Sequence, residues 1–166
     1  VRAYDEGIAF RYFFPEHPRA TFHKVVGDLT EYTLPVGTKA WSEQWAQAFF
    51  EHLDVNELKR PVERALTLEL PSGLWTALLD ADVDDWCLTK YQASAEKKNT
   101  LTSVMYSPVD VVTYYATPWK VIMTAEKPGE LLEHNDIIQN LNPPCEIADA
   151  AEWVRPGSRR PSGLRR

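Results

Sequence analysis

Apolar and polar positions alternate along most of this chain. Proline, glycine or a charged cluster breaks the alternation at intervals of roughly 8–12 residues. Residues 7–15 form the first such run, closed by Pro15, and a period of two puts Ile8, Phe10, Tyr12 and Phe14 on one face. Arg11 falls on the other face, between Ala9 and Phe13. Residues 25–35 read as a second strand, with Leu29, Glu31 and Thr33 set against Thr30, Tyr32 and Leu34, and Pro35-Val36-Gly37 ends it. Residues 66–70 and 74–79 flank the tight turn Pro71-Ser72-Gly73, the strongest hairpin signal in the chain. Residues 86–91, 101–106, 111–115 and 119–124 are strand-like, rich in β-branched and aromatic residues.

Two segments depart from that period. Trp41, Trp45, Phe49 and Leu53 recur at i, i+4, i+8 and i+12, which predicts a helix with an aromatic stripe. Such a stripe faces a core or stacks on sugar rings, and both readings stand. After the last strand, Pro128-Gly129 opens a short helix whose inner face is Leu131, Leu132 and Asn135. Residues 137–141 are expected to be extended. About eight strands and one or two short helices, with no internal repeat, predict a mainly β sandwich.

Composition narrows the function classes. An apolar fraction of 44% is enough for a core of ordinary size. A net charge of −6 gives no steering toward nucleic acid or an anionic membrane, and no apolar run approaches the roughly 20 residues of a membrane span. Five arginines in the last twelve residues (Arg155, Arg159, Arg160, Arg165 and Arg166) make a basic, solvated tail. Cys87 and Cys145 are too few for a disulfide framework. The chain opens on Val1, directly in strand-like sequence, so it is expected to be an internal segment of a longer protein.

Chemistry has few footholds here. Asp80, Asp82 and Asp84 sit at i, i+2 and i+4, as at the start of a helix-loop-helix calcium loop. Positions six and twelve of that motif need Gly and Glu and here hold Asp85 and Tyr91, so the motif is absent. A solvated acidic turn and a partial calcium site completed from elsewhere both remain. His17, His23, His52 and His134 are dispersed. No nucleophile elbow, phosphate loop or metal-binding histidine pair is present, and no pair of acids is singled out for glycoside hydrolysis.

A run of ordered motifs adds a resemblance. Thr117-Pro118-Trp119-Lys120-Val121-Ile122-Met123, Pro128-Gly129-Glu130-Leu131, Asn140-Leu141-Asn142-Pro143-Pro144-Cys145 and Trp153-Val154-Arg155-Pro156-Gly157 resemble the end of the N-terminal domain of glycoside hydrolase family 97. These are the SusB-type α-glucosidases and α-galactosidases. Tyr4-Asp5-Glu6-Gly7-Ile8-Ala9-Phe10-Arg11-Tyr12, Leu29-Thr30-Glu31-Tyr32, Glu51-His52-Leu53 and the hairpin of residues 65–79 look similar to earlier parts of that domain, in the same order.

The resemblance implies that residues 1–157 are the C-terminal part of a mutarotase-like β-super-sandwich. A catalytic (β/α)8 barrel would follow in the parent chain, which would be periplasmic or extracellular. It implies a non-catalytic domain that braces the barrel and helps shape a pocket for α-linked oligosaccharides. It also implies one ligand to a calcium ion shared with the barrel. The family's ligand is a Glu just after the hairpin; the matching residue here is Asp80, one methylene shorter. Asp82, Asp84 and Asp85 inherit no such role. Residues 158–166 depart from the family, being polar and basic where the first barrel strand should be apolar. The rival expectation is a free-standing carbohydrate-binding module using Trp41, Trp45 or Trp75.

Overall fold

The computed structural model describes residues 1–147, so the motif at Trp153–Gly157 and the basic tail lie outside the described residues. The chain is mainly β, as its alternation predicts, but the strands are shorter and more numerous. They are β1 (Arg2–Tyr4), β2 (Gly7–Phe10), β3 (Phe13–Phe14), β4 (Phe22–Val25), β5 (Glu31–Thr33), β6 (Lys39–Ser42) and β7 (Glu51–Asp54). Then come β8 (Leu66–Glu69), β9 (Trp75–Ala81), β10 (Thr89–Ala93), β11 (Thr100–Met105), β12 (Val109–Val112), β13 (Tyr115–Ala116) and β14 (Trp119–Ala125). Two short helices follow, α1 (Glu130–Glu133) and α2 (Asp136–Leu141).

A seven-stranded antiparallel sheet in the order β1-β2-β14-β9-β8-β6-β7 carries the fold, and a three-stranded sheet, β10-β11-β5, lies over one of its faces. The core between them is built from Ala40, Leu66, Leu68 and Leu78 of the large sheet and Tyr32, Tyr91 and Leu101 of the small one. Val55, Leu58 and Val62 close its margin. The other face of β9, β14 and β2 presents Ala77, Ala81, Trp119, Val121, Met123 and Ala9, and these bury Ile137 and Leu141 of α2. The large sheet is therefore packed on both sides at its centre, which is why β14 reads as a nearly unbroken apolar run. No helix among the described residues is long and apolar enough to cross a membrane.

The hairpin of β8 and β9 forms as the Pro71-Ser72-Gly73 turn predicts, with Leu66 opposite Leu78 and Leu68 opposite Thr76. Gly73 takes a positive φ of 88° there. Alternation also holds through residues 30–34, where Thr30 and Tyr32 are buried and Glu31 and Thr33 are exposed. Of the segment expected as one strand over 25–35, only Val25, at the end of β4, and β5 are strand, and Leu29 points into solvent.

Four expectations are overturned. Residues 41–53 are not a helix: β6 and β7 pair antiparallel, with Trp41 opposite His52 and Ala40 opposite Leu53. A repeat of four is also a multiple of two, so the aromatic spacing satisfies strand alternation as well as a helix. β6 pairs β8 on its other side, which supplies backbone partners that a helix would have to make internally. Residues 137–141 are helical rather than extended, because Ile137 and Leu141, four apart, meet the sheet on one helix face. In α1 only Leu131 packs inward, while Leu132 is exposed. The run over 7–15 breaks into β2 and β3, with Ala9 fully buried and Ile8 exposed. Ala9 lies opposite Val121 on the side covered by α2, where a small residue lets the helix approach.

Gly7 marks a close approach of backbones. It pairs with Met123, and a Cβ in its place would collide with the Ile122 carbonyl oxygen. Gly7→Ala is expected to destabilise the fold by about 1–3 kcal/mol through overpacking, read as a lower denaturation midpoint. The chain also exposes large apolar side chains, among them Phe13, Phe22, Val26, Leu29, Phe49 and Val112. On its own it is expected to self-associate in sedimentation velocity; a monodisperse monomer with a cooperative melt would contradict this.

Candidate functional site

Asp80 and Lys120 are direct cross-strand partners on β9 and β14, and both side chains point into the core between the sheets. Sequence analysis set Asp80 at the head of an acidic loop. It lies instead inside β9, with its side chain only 1% exposed. Burying a carboxylate and an ammonium in a sheet interior costs far more than any surface pair, so partners have to converge on them. Arg64, from the segment before β8, donates from Nη1 to Asp80 Oδ2 at 2.5 Å. Thr89, at the start of β10, donates to the same oxygen. Lys120 Nζ stands 3.9 Å from Asp80 Oδ1 and 2.6 Å from Asp28 Oδ2. Asp28 comes from the loop between β4 and β5. Its Oδ1 accepts from the Thr30 hydroxyl at 2.6 Å and the Thr30 amide at 3.0 Å.

Two carboxylates and two cations thus form a neutral cluster drawn from four separate stretches of chain. Its charge is felt nearby. Burial, with the Asp80 charge second, pushes the Tyr32 and Tyr91 hydroxyls well above their ordinary value of 10.0. For Asp28, burial alone would raise the carboxyl. The Lys120 ammonium and the hydrogen bonds from Lys120 and Thr30 together outweigh burial and hold it below its ordinary 3.8.

Lys120 and Asp28 also floor a cavity of about 350 Å³, walled by Tyr12, Phe14 and Trp86, with Thr117 beside them. Tyr12 extends the polar chain outward: its hydroxyl meets the Thr30 hydroxyl at 3.0 Å, and its amide donates to Thr117 Oγ1 at 3.1 Å. Arg64, Lys120 and Asp28 were not singled out from sequence. A signal existed for one of them, since a lysine inside the apolar run of β14 demands a buried partner.

The remaining acids go elsewhere. Asp82 pairs with Arg11 at 3.1 Å, and Arg11 lies over the Trp119 ring at 4.3 Å. The backbone carbonyls of Asp84 and Asp85 accept from the Tyr115 hydroxyl. Trp41 stacks on His52 at 4.2 Å on the face of the large sheet that α2 covers at its centre, and Trp75 lies on that same face. Trp45 lines a different cavity with Lys90 and Tyr106. Cys87 and Cys145 are both free thiols.

This fold and this order of motifs have a counterpart. The family model for the glycosyl-hydrolase 97 N-terminal domain matches residues 1–144. The chain belongs to that family. A glycoside hydrolase family 97 enzyme from Pseudoalteromonas sp. strain K8, solved in complex with acarbose, superposes with a TM-score of 0.83 at 22% identity over 93% of this chain. A variant of it in complex with panose gives the same values. A β-arabinopyranosidase is more distant, with a TM-score of 0.60 at 15% identity over 75% of this chain. The chain spans 24% of the length of each of these structures. The family 97 match bears out the mainly β, sandwich-type fold expected from the motifs.

Resemblance to the family implies a calcium ligand at Asp80, and the residues around it can be tested for fit. A carboxylate shared with a neighbouring domain has to reach the domain surface, and Asp80 is enclosed within this one. Its neighbours are Arg64 and Lys120, where a hard cation needs six to eight oxygens. Among the described residues no three His, Cys, Asp or Glu side chains come together. One Asp80 oxygen, Oδ1, makes no hydrogen bond, which supplies a single ligand at most. The set does not fit calcium.

Because the Asp28 carboxyl is depressed in the folded state, its contribution to stability is complete above pH 3.8 and is lost as pH falls through its folded value. Melting temperature followed from pH 5 downward (about two units) is expected to fall more steeply for the wild type than for Asp28→Asn. Parallel curves would remove Asp28 from the acid transition.

Proposed function

We propose that this chain is a non-catalytic part of a glycoside hydrolase that acts on α-linked glucosides or galactosides. It braces the catalytic domain and helps to shape the sugar pocket. The observation that carries this reading is the family match over residues 1–144, in a fold whose two buried aspartates are already neutralised by lysine and arginine. Carboxylates held in that way are poor candidates for the proton transfers of glycoside cleavage, which need one acid and one base flanking the bond. The substrate class comes from the family resemblance and from the acarbose and panose held by the matching enzymes. The cavity over Asp28 and Lys120 suits such a setting. Aromatic side chains can lie against the C–H face of a sugar, and a neutral polar floor can hydrogen-bond its hydroxyls.

Trp41 and Trp75, which share one face of the large sheet two strands apart, keep the carbohydrate-binding module as the second reading. Purified chain incubated with a nitrophenyl α-glucoside is expected to release no nitrophenol above the buffer rate. Calorimetry with maltotriose is expected to show no saturable heat. Turnover by the chain alone would overturn the non-catalytic assignment. Saturable binding lost in Trp41→Ala would favour the module.

A further inference from the structure

We infer that Arg64 and Lys120 together take the place of a divalent cation beside Asp80, so that this chain holds the core carboxylate with its own side chains and folds independently of calcium. The inference rests on family membership only for the contrast with a calcium ligand; the cluster itself stands on its geometry.

Charge balance comes first. Asp80 and Asp28 carry two negative charges, and Arg64 and Lys120 carry two positive ones. Asp80, Lys120 and Asp28 have side chains 1%, 6% and 7% exposed, so solvent screens them little. A calcium ion added here would set two further positive charges against two cations already in contact, in a place where an unmatched charge is very costly. Ligand supply points the same way. Both Asp28 oxygens and Asp80 Oδ2 are engaged by Lys120, Thr30, Arg64 and Thr89. Only Asp80 Oδ1 lacks a hydrogen bond, and it faces the Lys120 ammonium.

Side-chain length fits as well. Aspartate keeps its carboxylate close to β9, within reach of Thr89 from the opposing sheet. A glutamate would carry its carboxylate one methylene further, into the space where Arg64 and Thr89 converge. Arg64 is the member that reaches outward, with its side chain 23% exposed. It therefore neutralises Asp80 while its own charge stays partly hydrated.

The test uses the full chain stripped of metal with EDTA. Asp80→Asn and Arg64→Met are each expected to lower the melting temperature by about 5 °C or more. The double variant keeps the Lys120–Asp28 pair, restores neutrality, and is expected to melt no lower than the worse single variant. Additive losses would overturn the cluster. Millimolar calcium chloride is expected to leave the wild-type melt unchanged. Terbium, which emits when bound near tryptophan, is expected to give no saturable signal with wild-type chain. The terbium measurement needs no variant, so it decides even if the substitutions unfold the protein. A calcium-induced rise in melting temperature, or terbium emission competed away by calcium, would overturn the inference.

Discussion

A lysine and an aspartate set directly across from one another in the middle of a sheet impose the main constraint on this molecule. β9 and β14 form the centre of the large sheet, and Asp80 and Lys120 meet there on its covered face. Both side chains are almost wholly withdrawn from water, so the fold must bring neutralising and hydrogen-bonding groups to them. Arg64 arrives from the approach to β8, Thr89 from the small sheet, and Asp28 from the loop before β5. The cluster thereby ties both sheets and two loops to one point. Aliphatic packing from Leu66, Leu68, Leu78 and Leu101 supplies the driving force of the same core but is indifferent to register. The charged pair is not indifferent: a slip of one residue would turn Asp80 and Lys120 to the opposite face, away from every partner they have.

What the chain shows without a structure follows from how local each signal is. The β8–β9 hairpin was legible because turn and alternation lie in fourteen consecutive residues, 66–79. β14 was legible because a strand buried on both faces is a nearly continuous apolar run. The segment 41–53 was misread because its spacing fits two periods, and only pairing with β8, more than twenty residues on, decides between them. The burial of Ala9 rather than Ile8 was hidden for a related reason. Alternation separates two faces but does not say which one α2 will cover, and α2 comes from the far end of the described chain.

The candidate site divides along the same line. Asp80 was reached through resemblance, on a motif read locally, and that motif does lie at the end of the hairpin. Its partners come from positions 28, 64, 89 and 120, and no local pattern links them. An isolated lysine in Trp119-Lys120-Val121-Ile122-Met123 is the one residue whose chemistry alone called for a buried counter-charge. Family likeness could place a carboxylate here. It could not say whether a metal or a pair of basic side chains would meet it, because that depends on residues outside the motif.

Lys120 joins the cluster to the cavity, and this sets the character of the cavity floor. Its ammonium is held between Asp28 at 2.6 Å and Asp80 at 3.9 Å, so it cannot swing out to meet a guest as a free charge. Asp28 is fixed in turn by two bonds from Thr30, and Tyr12 leads that chain of bonds out to the cavity wall. The floor therefore offers oriented donors and acceptors with no net charge, under aromatic walls. An ionic group would find no unmatched counter-charge there. The same neutrality that satisfies the buried charges thus fixes the electrostatic character of the cavity above them.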